Sequence, residues 1–186
     1  MKVKVCGITN LEDAHMSVDA GADALGFIFV HSSPRYIEPA RANEIIKTLP
    51  PFVTPVGVVA DIEREEVNEI LATSGVRCIQ FHGNEDASDI CGYRQPVIKV
   101  FRVKEEFDVR QLKNFPTRTF LLDTFVDGMK GGTGKTFDWL IAVEAKKYGR
   151  IILSGGLTPG NVAEAIAAVR PYAIDVNSGV EVSPGK

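Results

Sequence analysis

Hydrophobic positions recur along this chain in two alternating rhythms. Short apolar runs of roughly four to eight residues alternate with longer stretches in which apolar residues return every three or four positions. The first rhythm predicts strands covered on both faces, and the second predicts amphipathic helices packed over them. Eight strands are predicted, at 2–6, 23–30, 55–60, 76–81, 97–101, 119–123, 150–153 and 173–176. Seven helices are predicted between them, at 11–20, 39–49, 62–74, 85–93, about 105–114, 138–147 and 159–169. Local chemistry supports several ends: Asn10 can cap the first helix, Pro39 can open the second, and Gly75 can stop the third.

Crossovers of about 18–28 residues suit parallel strands joined by right-handed connections. Eight such units favour closure into a (β/α)8 barrel over an open doubly wound sheet. The expected fold is therefore an α/β TIM barrel forming a single domain over residues 1–186, with the last helix missing from the given sequence. A tail continuing past Ser183-Pro184-Gly185-Lys186 is expected to supply that eighth helix.

Composition narrows the function. Hydrophobic residues make up 45% of 186, enough for a substantial core. The net charge of −3 and the absence of any long basic run give no nucleic-acid footprint. Three cysteines at wide spacing (Cys6, Cys78, Cys91) suggest neither a disulfide framework nor a zinc ribbon. A reducing, cytoplasmic setting is expected, with no membrane span because no apolar run reaches the required length. No cluster has metal-ligand spacing, so no metal is expected.

In a barrel the chemistry gathers where strands end and the following loops begin. Those ends carry Cys6, the His31–Arg35 loop, His82, Arg102, Asp123, Ser154-Gly155-Gly156 and Asp175-Val176-Asn177-Ser178-Gly179. Two glycine turns at adjacent strand ends, Gly155-Gly156 and Ser178-Gly179, suit a phosphate, because backbone N–H groups can converge on an anion there. Either turn alone is equally a tight turn needing positive φ. Cys6 and Asp123 belong to strands three steps apart around the ring and should face each other across the mouth. Acid–base work at neutral pH would require a thiol lowered by cationic or dipolar neighbours and a carboxyl raised by burial. Arg35 offers a planar fork for a carboxylate or phosphate. His82 reads as a structural hydrogen-bonding residue, although a catalytic base is the other possibility. Lys99, inside the fifth strand, leaves open a lyase or aldolase reading through a Schiff base. A phosphate-ligand sensor without chemistry is a third reading. The segment 128–136 carries glycines and a Gly-Lys-Thr, but it has one residue too many for a nucleotide-binding P-loop and reads as a lid or substrate-shaping loop.

On these residues the sequence resembles the phosphoribosylanthranilate isomerase family. The carriers are Lys4-Val5-Cys6-Gly7-Ile8-Thr9, Ser33-Pro34-Arg35-Tyr36, Gln80-Phe81-His82-Gly83, Leu121-Leu122-Asp123-Thr124, the segment 132–139, Leu153-Ser154-Gly155-Gly156-Leu157 and Asp175-Val176-Asn177-Ser178-Gly179-Val180-Glu181. The resemblance implies an Amadori rearrangement of N-(5-phosphoribosyl)anthranilate without a cofactor. It implies Cys6 as general base, Asp123 as general acid, and Arg35 as the anthranilate carboxylate's partner. Gly155, Gly156, Ser178 and Gly179 would hold the phosphate, with Asp175 close by. The only partner expected is this small phosphosugar–anthranilate substrate, with a monomer expected and a homodimer the alternative.

Overall fold

The computed structural model describes residues 1–104, 106–124 and 138–186. Eight parallel strands close into a ring in chain order: β1 (Lys2–Cys6), β2 (Ala24–Ile28), β3 (Thr54–Val59), β4 (Cys78–Phe81), β5 (Val97–Val103), β6 (Thr119–Thr124), β7 (Arg150–Leu153) and β8 (Ala173–Val176). The seam runs between β8 and β1, where Lys4 lies opposite Asp175. The first and the last two strands begin and end where the apolar pattern predicts, and the other five depart from it by at most two residues. The described α-helices are α1 (Leu11–Asp19), α2 (Pro39–Ile46), α3 (Arg64–Ser74), α4 (Trp139–Ala145) and α5 (Val162–Val169). None is long and apolar enough to cross a membrane.

The two-residue period of the strands sorts side chains into two cores. On the outside, Leu25, Phe27, Phe29 and Ile79 pack under Ala14, Ala42, Ile45, Val67 and Ile70 of α1 to α3. On the other half of the ring, Phe120, Leu122, Ile151 and Leu153 pack under Ala142, Ala145, Ala165 and Val169 of α4 and α5. Small alanines on the helices let the strand aromatics approach closely. Inside the ring, Val56, Cys78, Ile98, Val100, Leu121, Ile152 and Ala173 fill the floor. Burying each large apolar side chain is worth about 1.5–3 kcal/mol, so a filled ring rather than a pore is the stable outcome.

Two predicted helices are absent in the expected form. Between β4 and β5 there are turns and no helix at 85–93. Glu85 is buried here, and its carboxylate accepts the N–H groups of Asp61 (2.9 Å) and Gly83 (3.0 Å) and the ammonium of Lys99 (2.6 Å). The carbonyls of Ser88, Asp89 and Cys91 turn toward the Arg64 guanidinium instead of following a helix axis. Asp86 takes the N–H groups of Ser88 and Asp89, a local bond that competes with helix formation. The helix predicted near 105–114 is a short 3-10 helix over Val109–Asn114, capped by Asp108 accepting from the Arg110 N–H at 2.9 Å. Its buried residues, Val109 and Leu112, are three apart, the period of that tighter helix. α5 starts at Val162, not at Pro159, because Asn161 accepts the Thr158 N–H and donates to the Gly156 carbonyl, both at 2.8 Å.

Lys99 lies opposite Phe81 and Phe120 in the ladders, so it points to the outer layer and not into the ring. Its ammonium is 3% exposed and is neutralised by Glu85. Glu85→Ala should lower the unfolding free energy by about 3–5 kcal/mol, because it leaves a buried charge unpaired. The pair Glu85→Leu with Lys99→Met should recover most of that loss. Urea titration of the three proteins checks both statements.

Candidate active site

The open end of the ring, at the C-terminal ends of the strands, collects polar side chains above the apolar floor. β1 contributes Lys4 and then Cys6, two residues apart and therefore on the same inner face. β8 contributes Asp175 beside them. The Lys4 ammonium meets the Asp175 carboxylate at 2.7 Å, with side chains only 4% and 7% exposed. On β2 the residue opposite Cys6 is Gly26. A side chain there would start 2.7 Å from the Cys6 sulfur and 3.1 Å from the Lys4 Cε, so glycine leaves room for both groups.

Burial would pull the Lys4 ammonium down, but the Asp175 carboxylate, with Cys6 assisting, more than reverses this and holds it above its ordinary range. Burial pushes the Asp175 carboxyl up, and Lys4 pulls it back. For Cys6 burial is the largest influence and raises the thiol; Lys4 lowers it, Asp175 raises it, and the Gly7 N–H lowers it. The balance places the thiol above its ordinary value. The lowered thiol that acid–base work at neutral pH would require is thus not what the surroundings of the resting site give. Cationic and dipolar neighbours are present, but desolvation outweighs them.

Across the mouth, β6 carries Asp123 one residue before its end, half-buried and 3.5 Å from the Nε2 of His82, which directly follows β4. The other ring nitrogen of His82, Nδ1, lies 3.4 Å from the Gln80 Nε2, and Gln80 is fully buried inside the ring. His82 therefore joins the interior to Asp123, contacts that suit the structural hydrogen-bonding residue read from the sequence. Asp175 feels Lys4 most strongly among its charged neighbours, and Asp123 and His82 as well. Cys6 in turn feels Lys4 and Asp175. Asp175 thus interacts with the surroundings of both the thiol and the Asp123 carboxyl, which lie at the C-terminal ends of β1 and β6 of one closed ring.

Arg35 reaches this opening from the loop after β2. Its Nε and Nη2 donate to the two carboxylate oxygens of Glu181 at 2.7 and 2.6 Å. This fork raises the guanidinium above its ordinary value, and Cys6 adds to the effect. Glu181 is the partner that motif reading passed over. It lies in the matched Ser-Gly-Val-Glu run, but nothing local in the sequence links it to an arginine 146 positions away.

The two glycine turns lie side by side. Gly155 and Gly156 both take positive φ, at 84° and 64°, a run that L side chains resist. A Cβ on Gly155 would fall 2.3 Å from the Thr124 nitrogen and 2.7 Å from the Asp123 Oδ1. Gly179 is packed against the Leu157 carbonyl of the neighbouring loop, where a Cβ would sit 2.0 Å from the oxygen. The Ser154 hydroxyl bridges the two strand ends by donating to the Asp175 carbonyl at 3.3 Å. Among the described residues, the N–H groups of Gly155, Gly156, Ser178 and Gly179 find no acceptor. They are donors held in place at one rim. The buried oxygens Thr124 Oγ1 and Asn177 Oδ1 at that rim are likewise without a partner among the described residues.

Of the sequence candidates, Cys6, Asp123, Asp175 and Arg35 and both glycine turns converge on the mouth. Lys99 does not, because it faces the outer layer. The lid reading of 128–136 lies outside the described residues. Among the described residues no group of three or more His, Cys, Asp or Glu is placed to hold a metal ion.

Known proteins agree with this architecture. Residues 3–186 match the family model described as N-(5'-phosphoribosyl)anthranilate (PRA) isomerase. The N-(5'-phosphoribosyl)anthranilate isomerase of Geobacter sp. (strain M21) is 52% identical over 186 residues, which is all of this chain and 91% of the relative. The crystal structure of phosphoribosyl anthranilate isomerase from Thermotoga maritima superposes with a TM-score of 0.91 at 45% identity, covering all of this chain and 92% of that one. Another solved phosphoribosyl anthranilate isomerase, in complex with reduced 1-(o-carboxyphenylamino)-1-deoxyribulose 5-phosphate, superposes at 0.87 with 44% identity, covering all of this chain and 91% of that one.

With burial dominating, Cys6 should react with iodoacetamide only as pH rises past the ordinary cysteine value of about 8.5. Mass spectrometry of the intact protein, labelled across a pH series, gives the midpoint. A midpoint below the ordinary value would contradict the balance described above.

Proposed function

We propose, for a chain that belongs to the N-(5'-phosphoribosyl)anthranilate isomerase family, that Cys6 and Asp123 carry its acid–base chemistry. The reaction is the Amadori rearrangement of N-(5-phosphoribosyl)anthranilate to 1-(2-carboxyphenylamino)-1-deoxyribulose 5-phosphate, a step of tryptophan biosynthesis. The observation that supports the assignment most strongly is the meeting of thiol and carboxyl around Asp175 at one mouth.

The chemistry is internal to the substrate. Asp123 gives a proton to the furanose ring oxygen, the C1–O bond breaks, and the anthranilate nitrogen's lone pair forms an iminium at C1. The Cys6 thiolate then removes the proton on C2, and the released pair gives an enolamine. Tautomerisation leaves a ketone at C2 and an amine at C1. C1 is reduced as C2 is oxidised, so no external oxidant or reductant enters the balance. Acid–base groups of this kind contribute typically 10²–10⁴-fold each.

The rest of the mouth holds the two anions of the substrate. Glu181 occupies one edge of the Arg35 fork, which leaves the Nη1 side for the anthranilate carboxylate. The donors at Gly155, Gly156, Ser178 and Gly179 suit the phosphate, with Asp175 behind them. His82 holds Asp123 in position. The reading includes no cofactor, and a cytoplasmic protein acting as a monomer. Light scattering of the purified chain tests the monomer, with a homodimer as the contrary outcome.

The substrate is a fluorescent anthranilate, so turnover is followed as fluorescence decay. Cys6→Ser and Asp123→Asn should each lower kcat by a factor of about 10² or more. Arg35→Ala should act mainly on KM. A Cys6→Ser or Asp123→Asn protein with full activity would sink the corresponding role. Thermal stabilisation by phosphosugars without any turnover in the unaltered protein would favour a sensor instead.

A further inference from the structure

The buried Lys4–Asp175 pair needs an explanation beyond packing. Ion pairs in an apolar interior gain little stability, since desolvating two charges offsets most of their attraction, and well-packed apolar residues can replace them. The layer beneath is apolar throughout: Val56, Ile98 and Leu121 among others. Yet the mouth keeps a lysine and an aspartate at 2.7 Å, both almost fully buried.

The location of the pair suggests its use. The end of the Lys4 side chain and the Cys6 sulfur crowd the same space over Gly26. Charged groups reach the sulfur from three elements: Lys4 on β1, Asp175 on β8, and Arg35 from the loop after β2. The Gly7 N–H adds a dipole. From the β2 and β3 walls, Gly26, Ile28 and Val58 lie against it. Arg35 is already forked to Glu181 through two of its nitrogens, whereas the Lys4 ammonium meets a single carboxylate oxygen of Asp175 and keeps further N–H donors.

We propose that Lys4 is a positioning residue that acts through Cys6, its ammonium shared between the Asp175 carboxylate and the sulfur so that the thiolate can exist in a buried site. This rests on the reading of Cys6 as the base. While the thiol keeps its proton, the ammonium belongs to Asp175. When the thiol loses it, one of the remaining N–H donors of Lys4 turns to the sulfur, and no proton leaves Lys4. Asp175 and Lys4 therefore act on Cys6 in opposite senses, the carboxylate opposing the thiolate and the ammonium favouring it.

The test is the pH dependence of Cys6 alkylation by iodoacetamide, read by mass spectrometry in full-length protein so that Cys91 and Cys78 are scored separately. Lys4→Met should move the Cys6 midpoint upward by about one pH unit or more, a tenfold loss of thiolate at fixed pH. Asp175→Asn should move it downward, and Lys4→Arg should keep it close to the unaltered protein. The acidic limb of kcat/KM should follow each shift in the same direction. Midpoints that stay put, or that move the same way in Lys4→Met and Asp175→Asn, would reduce the pair to a structural one and overturn the proposal. If Lys4→Met does not fold, Asp175→Asn decides alone: a downward midpoint supports the proposal, and an unchanged or higher one overturns it. Alkylation shifts as expected in a protein whose Cys6→Ser form is fully active would leave Lys4's effect standing and remove Cys6 as the base.

Discussion

Closure of the ring between β8 and β1 is the constraint on which the other features depend. Parallel strands need both faces covered and both edges paired. Here the last strand returns to the first with four residues of ladder, Lys2 to Val5 against Ala173 to Val176. That seam brings residues 171 positions apart into contact. It also puts Lys4 and Asp175 at the same height on the same face, so the ladder that closes the barrel also creates the buried charge pair. Without closure, Asp175 would sit on a sheet edge and Cys6 would lie at a strand end with no second wall.

The two mid-strand lysines show how the strand period decides between architecture and chemistry. Lys4 and Lys99 are both 3% exposed, and both end on a carboxylate, at 2.7 and 2.6 Å. They differ in which side of the sheet they face. Lys99 points outward, where Glu85 and the Gly83 carbonyl hold it against the β4–β5 connection and organise that loop in place of a helix. Lys4 points inward, beside a sulfur. The same ion-pair chemistry therefore pins a loop in one place and sets the charge around a reactive group in the other. A one-residue change of phase would exchange these surroundings.

Most of the ring was legible because buried parallel strands are continuous apolar runs, and such runs have few other readings. The helices were less legible where polar side chains capture the backbone. Glu85, Asp86 and Arg64 take up N–H and carbonyl groups that a helix would have used. Those bonds depend on residues brought together only by the fold. The site divides along the same line. Cys6, Asp123 and the glycine turns are local features of strand ends, and position along the chain was enough to place them at the mouth. Glu181's hold on Arg35, and the Lys4–Asp175 bond, join distant segments and have no local signature. The thiol's direction of shift was not legible for a related reason. Lys4 could be counted in the sequence, but the depth of burial opposing it could not.

The charge arrangement at the mouth bears on how a dianionic or trianionic substrate could be held. Two of the cations there are already matched, Lys4 by Asp175 and Arg35 by Glu181, while Arg102 lies opposite Asp123 in the β5–β6 ladder. Two neutral pairs give little net attraction for a phosphate. On the reading proposed above, dipoles contribute to holding the phosphate, and the rim of Gly155, Gly156, Ser178 and Gly179 supplies N–H donors that have no acceptor among the described residues. Fixed backbone donors need little rearrangement when an anion arrives, whereas a lysine side chain would lose rotamer freedom. Arg35 differs from these because Glu181 uses only its Nε–Nη2 edge. The carboxylate that locks the guanidinium plane also aims its remaining edge, so the pairing that reduces net charge there improves the geometry for a second carboxylate. Pairing the cations this way leaves the sulfur as the place where a change of charge at the mouth has the largest consequence.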